Sequence, residues 1–243
     1  MTAEVALVVG GAGGIGEAIV RRLAAGAGKV VVADRDRDRG AAVADAAGGL
    51  FVPVDAGIPE HSERAVSVAL QEFGRVDTLV FAAGAAGRCG LDGFTAWQYR
   101  ETMRTNLDGA VYAIQAVLAP MRRQGGGSVL VTSSLAGLTG SPDVFYAAAK
   151  HALVGLVRSA ASLLAADHIR INALCPGLVD TPLLAGLRRS LLDHGLRLAD
   201  PDEIATAAET VLADPGSGRA WLVQAGRPAE PVPPPDIPLA PEP

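Results

Sequence analysis

Val5-Ala6-Leu7-Val8-Val9-Gly10-Gly11-Ala12-Gly13-Gly14-Ile15-Gly16 decides how the chain is read. A short apolar run rich in valine ends in a glycine cluster. Residues 16–25 then carry Ala18, Ile19 and Leu23 at helical spacing. Glycines at such a strand–helix junction let the backbone turn tightly and approach a pyrophosphate. The helix start adds unpaired N–H groups and the positive end of its dipole. A glycine pattern alone is a weak signal; its place after the first strand gives it weight. The spacing is Gly10-xxx-Gly14-x-Gly16, unlike the GxGxxG of two-domain dehydrogenases. No Gly-Lys-Ser/Thr follows, which excludes a P-loop nucleoside triphosphatase.

Outward from this loop, apolar runs alternate with longer helical patterns. Strands are predicted at 30–33, 50–54, 78–82, 128–132, 169–174 and 220–224. Helices are predicted at 36–47, 60–73, 95–123, 145–165 and 201–213. Strands apolar on both faces, alternating with helices, imply a parallel sheet covered on both sides. The expectation is α/β: a doubly wound parallel sheet of about seven strands in the order 3-2-1-4-5-6-7, in one domain over 1–227. Residues 228–243 differ, holding eight of the 16 prolines. Proline neither donates to a ladder nor extends a helix. The tail therefore reads as flexible or polyproline-like, either an inert acidic extension or an SH3-type ligand.

Composition removes whole classes of function. The chain has 243 residues, 49% hydrophobic and 19% charged, a globular rather than disordered balance. A formal net charge of −5 and a pI near 5.4 argue against nucleic-acid binding, which needs a basic face. Gly, Asp or Arg interrupts every apolar stretch before the ~18 residues of a membrane span. Met1-Thr2-Ala3-Glu4-Val5 carries no basic region of the secretory type. Cys89 and Cys175 make no disulfide framework, and no Cys/His spacing suggests a metal site. The expectation is a soluble cytoplasmic protein with no metal.

Asp34 ends the second predicted strand, 18 residues after Gly16. A carboxylate there accepts from ribose hydroxyls and repels a 2′-phosphate. Arg35 is the kind of group an NADP site uses, and Asp34 could instead cap the next helix. The strand-end carboxylate, and a Gly13 that puts no basic side chain beside the loop, favour NAD over NADP.

Only Lys29 and Lys150 are lysines, and only Tyr99, Tyr112 and Tyr146 are tyrosines. Tyr146-Ala147-Ala148-Ala149-Lys150 nevertheless joins the two rare types four apart within a helical pattern. That spacing puts phenol and ammonium on one face. An ordinary Tyr, with a pKa near ~10, is a poor base at neutral pH, and a nearby ammonium favours its phenolate. A surface Tyr/Lys pair is the bland alternative.

With these residues the sequence resembles the short-chain dehydrogenase/reductase family, in its single-domain form of about 250 residues. The resemblance covers about residues 4–226. It rests on Gly10-xxx-Gly14-Ile15-Gly16, Asp34, Asp55, Ala82-Ala83-Gly84, Asn106, Ser133-Ser134, Tyr146-xxx-Lys150 and Asn172-Ala173-Leu174-Cys175-Pro176-Gly177. It implies a Rossmann-type fold that binds NAD or NADP. It also implies that Tyr146 is the acid/base, that Lys150 binds the nicotinamide ribose and lowers the tyrosine pKa, and that Ser134 holds the substrate oxygen. Asn106 matches the asparagine that kinks the long fourth helix and helps hold a water joining Lys150 to solvent. Asp55 matches the adenine-contacting acid. Ala83 and Gly84 line the cofactor, as do Pro176, Gly177, Val179 and Thr181, the last two beside the nicotinamide carboxamide. Ser133 competes with Ser134: family spacing to the tyrosine picks Ser133, whereas Gly137 and Pro142 fit only from Ser134. Adjacent strand residues face opposite ways, so only one of the two serines faces the cofactor.

Three departures stand out. Val9 replaces the usual Thr. Phe81-Ala82-Ala83-Gly84 replaces Asn-Asn-Ala-Gly, removing a polar brace. The usual Asp-Gly-Gly ending is missing, which puts the family's C-terminal subunit contacts in doubt. The loops that build the substrate pocket in the family carry Leu135, Leu138, Leu183, Leu184, Leu187 and Leu191, suited to an apolar secondary alcohol or ketone. Arg88, Arg188 and Arg189 could meet a carboxylate or simply be solvated. His194 reads as a loop residue. The functional expectation is hydride transfer between NAD and such an alcohol by a homodimer or homotetramer. An NADPH-dependent ketoreductase is the runner-up, and a non-catalytic nucleotide-binding regulator a third reading.

Overall fold

β1 (Val5–Val9) is buried at all five positions, because it lies at the middle of a sheet with a neighbour on each edge. A computed structural model describes residues 4–26, 28–87 and 90–237 of the chain. β1 pairs in parallel with β2 (Lys29–Asp34) and β4 (Thr78–Phe81), and β2 pairs with β3 (Leu50–Pro53). On the other side follow β5 (Gly127–Thr132), β6 (Ile169–Pro176) and β7 (Ala220–Val223), all parallel. The sheet order is β3-β2-β1-β4-β5-β6-β7-β8.

Alternation along the strands builds two cores. Leu7, Val9, Leu79, Phe81, Val129, Val131, Ile171 and Ala173 point to one face. There they meet α3 (Pro59–Phe73), α5 (Gly109–Gln124) and α6 (Val144–Leu164). Val8, Val32, Val80, Leu130 and Leu174 point to the other face, toward α1 (Gly14–Ala25), α2 (Arg37–Ala47) and α8 (Pro201–Ala213). With side chains at successive residues on opposite faces and helices on both, every strand position must be apolar. Phe81, where the family has a polar brace, is fully buried. Truncating such a side chain costs about 3–5 kcal/mol, so apolar packing substitutes for the missing asparagine.

The predicted helix over 95–123 is interrupted. α4 (Ala96–Met103) starts on a Thr95/Gln98 capping box and runs into a π-helical turn, Arg104–Asp108, before α5. A short α7 (Arg188–Asp193) and three 3₁₀ turns complete the helical elements among the described residues.

The tail also departs from expectation. Glu230–Val232 form β8, antiparallel to β7, so the sheet has eight strands rather than about seven. A four-residue strand at the sheet edge would leave its outer backbone groups unpaired. β8 covers them, and Pro231, which lacks an N–H, is tolerated because β8 is itself the edge. Residues 238–243 lie outside the described set, as do Met1, Thr2 and Ala3 of the start.

Candidate active site

Every site residue read from the sequence lies at or beyond the C-terminal end of a strand, or on a helix that faces those ends. This is where an open α/β sheet leaves a crevice.

The glycine loop needs its glycines. Gly10 has φ +84°, and a Cβ there would strike the Ala83 backbone; one on Gly16 would strike the Gly10 carbonyl. Gly14 has φ +55° and faces the Thr181 methyl at 3.2 Å from a notional Cβ. That contact brings the segment after β6 against the loop. Gly13 caps α1 in extended conformation without a side-chain bond, so no side chain takes the first-turn N–H groups. Ile15 packs on the second core and anchors the turn. A cradle of this kind, with a glycine backbone and open helix N–H groups, fits a dinucleotide pyrophosphate.

Asp34 belongs to the same cradle. Its Oδ2 accepts from Ala12 N at 2.9 Å and its Oδ1 from Asp36 N at 3.0 Å. The capping of α2 falls to Asp36, which accepts from Arg39 N at 3.1 Å. One expectation needs correction. Although Gly13 has no side chain, a basic group does lie beside the loop: Arg39 Nη2 sits 2.8 Å from a notional Gly13 Cβ and pairs with Glu17 at 3.3 Å. No motif marks Arg39; the absence of a Cβ on Gly13 makes room for it.

Asp55 Oδ1 accepts from Gly57 N at 2.9 Å and from Arg104 Nη1 at 3.0 Å, while Asp55 N donates to His61 Nδ1 at 3.0 Å. Ala83 packs against Gly10, and Gly84 lies between Asn106 Oδ1 and Lys150 Nζ, 3.1 and 3.4 Å from its notional Cβ. Asn106 is fully buried inside the π-turn. Its Nδ2 donates to Thr102 O and Ala85 O at 2.8 Å, and its Oδ1 accepts from Ala85 N at 3.3 Å. The side-chain amide thus takes up a backbone carbonyl that the widened turn leaves without its α-helical partner.

The two serines part company. Ser133 points inward, and its hydroxyl donates to Lys150 O at 2.8 Å. Ser134 Oγ accepts from Ala136 N at 3.1 Å, and Ser134 lies near enough to Tyr146 to pull the phenol's pKa down. Tyr146 stands in the first turn of α6, its N–H directed to the capping Asp143. One turn on, Lys150 Nζ donates to Thr132 O at 2.9 Å and lies 5.4 Å from the Tyr146 ring centroid.

Burial dominates the electrostatics. It holds the Tyr146 phenol above its ordinary pKa; Ser134 pulls the other way, and Asp143 adds to the rise. Lys150 is not among the causes of that shift. Lys150 itself is brought down by burial to about 8. Cys175, buried on β6, is pushed up to about 11 and is inert as a nucleophile at neutral pH.

At the end of β6, Gly177 N donates to Val223 O at 2.8 Å, which fixes Pro176-Gly177. Val179 is buried and bridges to Ala199, and Thr181 follows at the mouth of the crevice. Leu183 and Leu187 are exposed there, whereas Leu138 packs on the core. Arg188 pairs with Asp180 at 2.9 Å, His194 bonds its own helix, and Arg88 lies outside the described residues. Among the described residues, no group of His, Cys, Asp or Glu could hold a metal, and no helix is long and apolar enough to cross a membrane.

The short chain dehydrogenase profile matches residues 4–191. The chain belongs to the short-chain dehydrogenase family. These enzymes are oxidoreductases that use a nicotinamide cofactor on CH–OH and keto groups. Two relatives are a 3-alpha-(or 20-beta)-hydroxysteroid dehydrogenase of Mycobacterium bovis and a trans-4-hydroxycyclohexanecarboxylate dehydrogenase of Sinomonas cyclohexanicum. The first is 34% identical over 92% of this chain and 88% of its own, the second 35% over 76% of each. A short-chain type dehydrogenase/reductase from Mycobacterium ulcerans superposes with a TM-score of 0.87, at 25% identity over 95% of this chain and 94% of its own.

Proposed function

We propose that this short-chain dehydrogenase oxidises an apolar alicyclic secondary alcohol, or reduces the matching ketone, with NAD preferred. The observation that carries the chemistry is Lys150 Nζ 5.4 Å from the Tyr146 ring centroid, one helical turn away, with Ser134 near enough to lower the phenol's pKa. The nicotinamide, when bound, supplies the hydride acceptor or donor. Ser134 holds the substrate oxygen. Tyr146 takes the hydroxyl proton as the carbon loses hydride, and returns it in reduction. Lys150, which protonates at about 8, keeps a positive charge beside the phenol at neutral pH and favours the phenolate once the site is filled. Positioning matters as much as acid strength, since the reacting atoms must lie about 3–3.5 Å apart.

The ring-bearing substrate is inferred from the two relatives, whose names denote a hydroxysteroid and a hydroxycyclohexanecarboxylate, and from the leucines at the crevice mouth. Asp34 supports NAD, as a carboxylate at the end of β2 would repel a 2′-phosphate. An NADPH-dependent ketoreductase is the second reading, favoured by Arg39 beside Gly13. We further propose a homodimer or homotetramer, because α5 and α6 leave Val111 and Leu163 exposed.

A panel of cyclic and open-chain alcohols and ketones, assayed with both nucleotides, tests the function. Turnover of cyclic alcohols with NAD is expected. Activity confined to open-chain substrates, or a tenfold preference for NADPH (about 1.4 kcal/mol), overturns the corresponding part.

A further inference from the structure

Arg104 belongs to no motif, yet it occupies a junction. It is the first residue of the π-turn that carries Asn106. Its Nη1 donates to Asp55 Oδ1 at 3.0 Å, and its Nε and Nη2 donate to the two oxygens of Glu101 at 3.0 Å each. Gly57 packs directly on the guanidinium, so a Cβ there would displace the Arg104 side chain.

Two residues on, Asn106 closes both polar groups of Ala85, in the loop after β4. Five residues of π-turn thus tie two loops together: the Asp55 loop and the Gly84-Ala85 loop. Gly84 is in turn wedged between Asn106 and Lys150. Side chains two residues apart on a helix point to nearly opposite sides, so Arg104 and Asn106 reach two different loops from one turn.

We propose that Arg104 is a positioning residue that couples the Asp55 loop to the Asn106 side of the catalytic centre. It holds Asp55 Oδ1 and so directs Oδ2 outward. By the same bond it fixes the turn that sets Asn106 against Gly84 and Lys150. This rests on the reading of the crevice as a dinucleotide site, with Asp55 toward the adenine end.

The test uses Arg104→Met and Asp55→Asn, with Asn106→Ala as the background for a double variant. ADP-ribose binding is measured by calorimetry, and kcat is measured at saturating cofactor and substrate. Arg104→Met is expected to weaken ADP-ribose several-fold and to lower kcat about tenfold, since small misplacements of reacting groups are costly. Asp55→Asn, which removes the charge of the ion pair but keeps an oxygen acceptor, lowers kcat in the same direction and by less. In the Asn106→Ala background, Arg104→Met lowers kcat little further, because its effect passes through Asn106. Arg104→Lys keeps the charge without the fork and falls between wild type and Arg104→Met. A purely structural role predicts losses that multiply across the double variant, or a lower Tm with kcat unchanged; either sinks the proposal. If wild-type protein does not bind ADP-ribose, the dinucleotide reading fails and the coupling falls with it. If wild type binds and Arg104→Met leaves kcat and affinity intact, the coupling alone fails.

Discussion

Lys150 Nζ lies 5.4 Å from the Tyr146 ring centroid while it donates to Thr132 O at 2.9 Å, with only 2% of the residue exposed. Burial disfavours the charged form of this ammonium and brings its pKa down to about 8. That burial penalty is the source of the first prediction.

Stability should depend on pH through Lys150. Its pKa falls from 10.5 in the unfolded chain to about 8 in the folded one. Between these values the unfolded state binds more protons, so stability rises with pH; below about 8 the burial penalty is fully present. Lys150→Met removes this dependence. Denaturant titrations should find the variant more stable than wild type at pH 7, with the gap shrinking by up to about 3 kcal/mol by pH 10.5. A gap that stays constant would mean that the folded and unfolded pKa values of Lys150 coincide.

The serines should separate cleanly. Ser134→Ala removes the hydroxyl beside Tyr146 and should cost roughly 2–4 kcal/mol in kcat/KM, as loss of an oxyanion-type donor does. Ser133→Ala removes a second bond to a Lys150 carbonyl that lies within α6, so stability should fall by about 0.5–1.5 kcal/mol with a smaller change in kcat. Steady-state kinetics and denaturation on both variants decide this, and the reverse ranking would assign the substrate to Ser133.

Cofactor choice should respond to two residues with opposite sign. Asp34→Ala should weaken NAD and improve NADP in relative terms, and it should also loosen the loop, because Ala12 N loses its acceptor. Glu17→Gln frees Arg39 from its 3.3 Å ion pair and should tighten NADPH by up to about fivefold with little effect on NADH. Fluorescence titration of both reduced nucleotides reads the result. Equal changes for the two nucleotides would show that Arg39 does not reach the 2′ position.

Assembly should be visible in solution. Trp97, Val111 and Leu163 are 69%, 38% and 77% exposed on α4, α5 and α6. Multi-angle light scattering at micromolar concentration should find a dimer or tetramer. A stable monomer would mean that these side chains face water.

The sequence made some of this legible and hid the rest, for physical reasons. Strands such as Val5–Val9 announce themselves because a doubly covered sheet needs apolar residues at every position. Tyr146 and Lys150 stand out because i, i+4 spacing is local, and the glycine loop because a positive φ at Gly10 demands glycine. The break in the long helix at Asn106 was implied by the resemblance, but its π-helical form was not legible: one widened turn changes neither composition nor apolar spacing enough to register. β8 was hidden under its prolines, since edge strands tolerate them and local propensity cannot see the β7 edge. Arg39 and Arg104 were invisible as site residues because their roles depend on contacts across 22 and 49 residues.

The central claim is that Tyr146 moves the proton in a dinucleotide site that does not need its hydroxyl for binding. The most direct measurement pairs NADH titration with turnover for Tyr146→Phe, using the best cyclic alcohol of the panel. NADH affinity should stay near that of wild type while kcat falls by about 10²–10⁴-fold, the range for loss of a positioned acid/base. Turnover by Tyr146→Phe close to wild type, with affinity retained, would contradict the account.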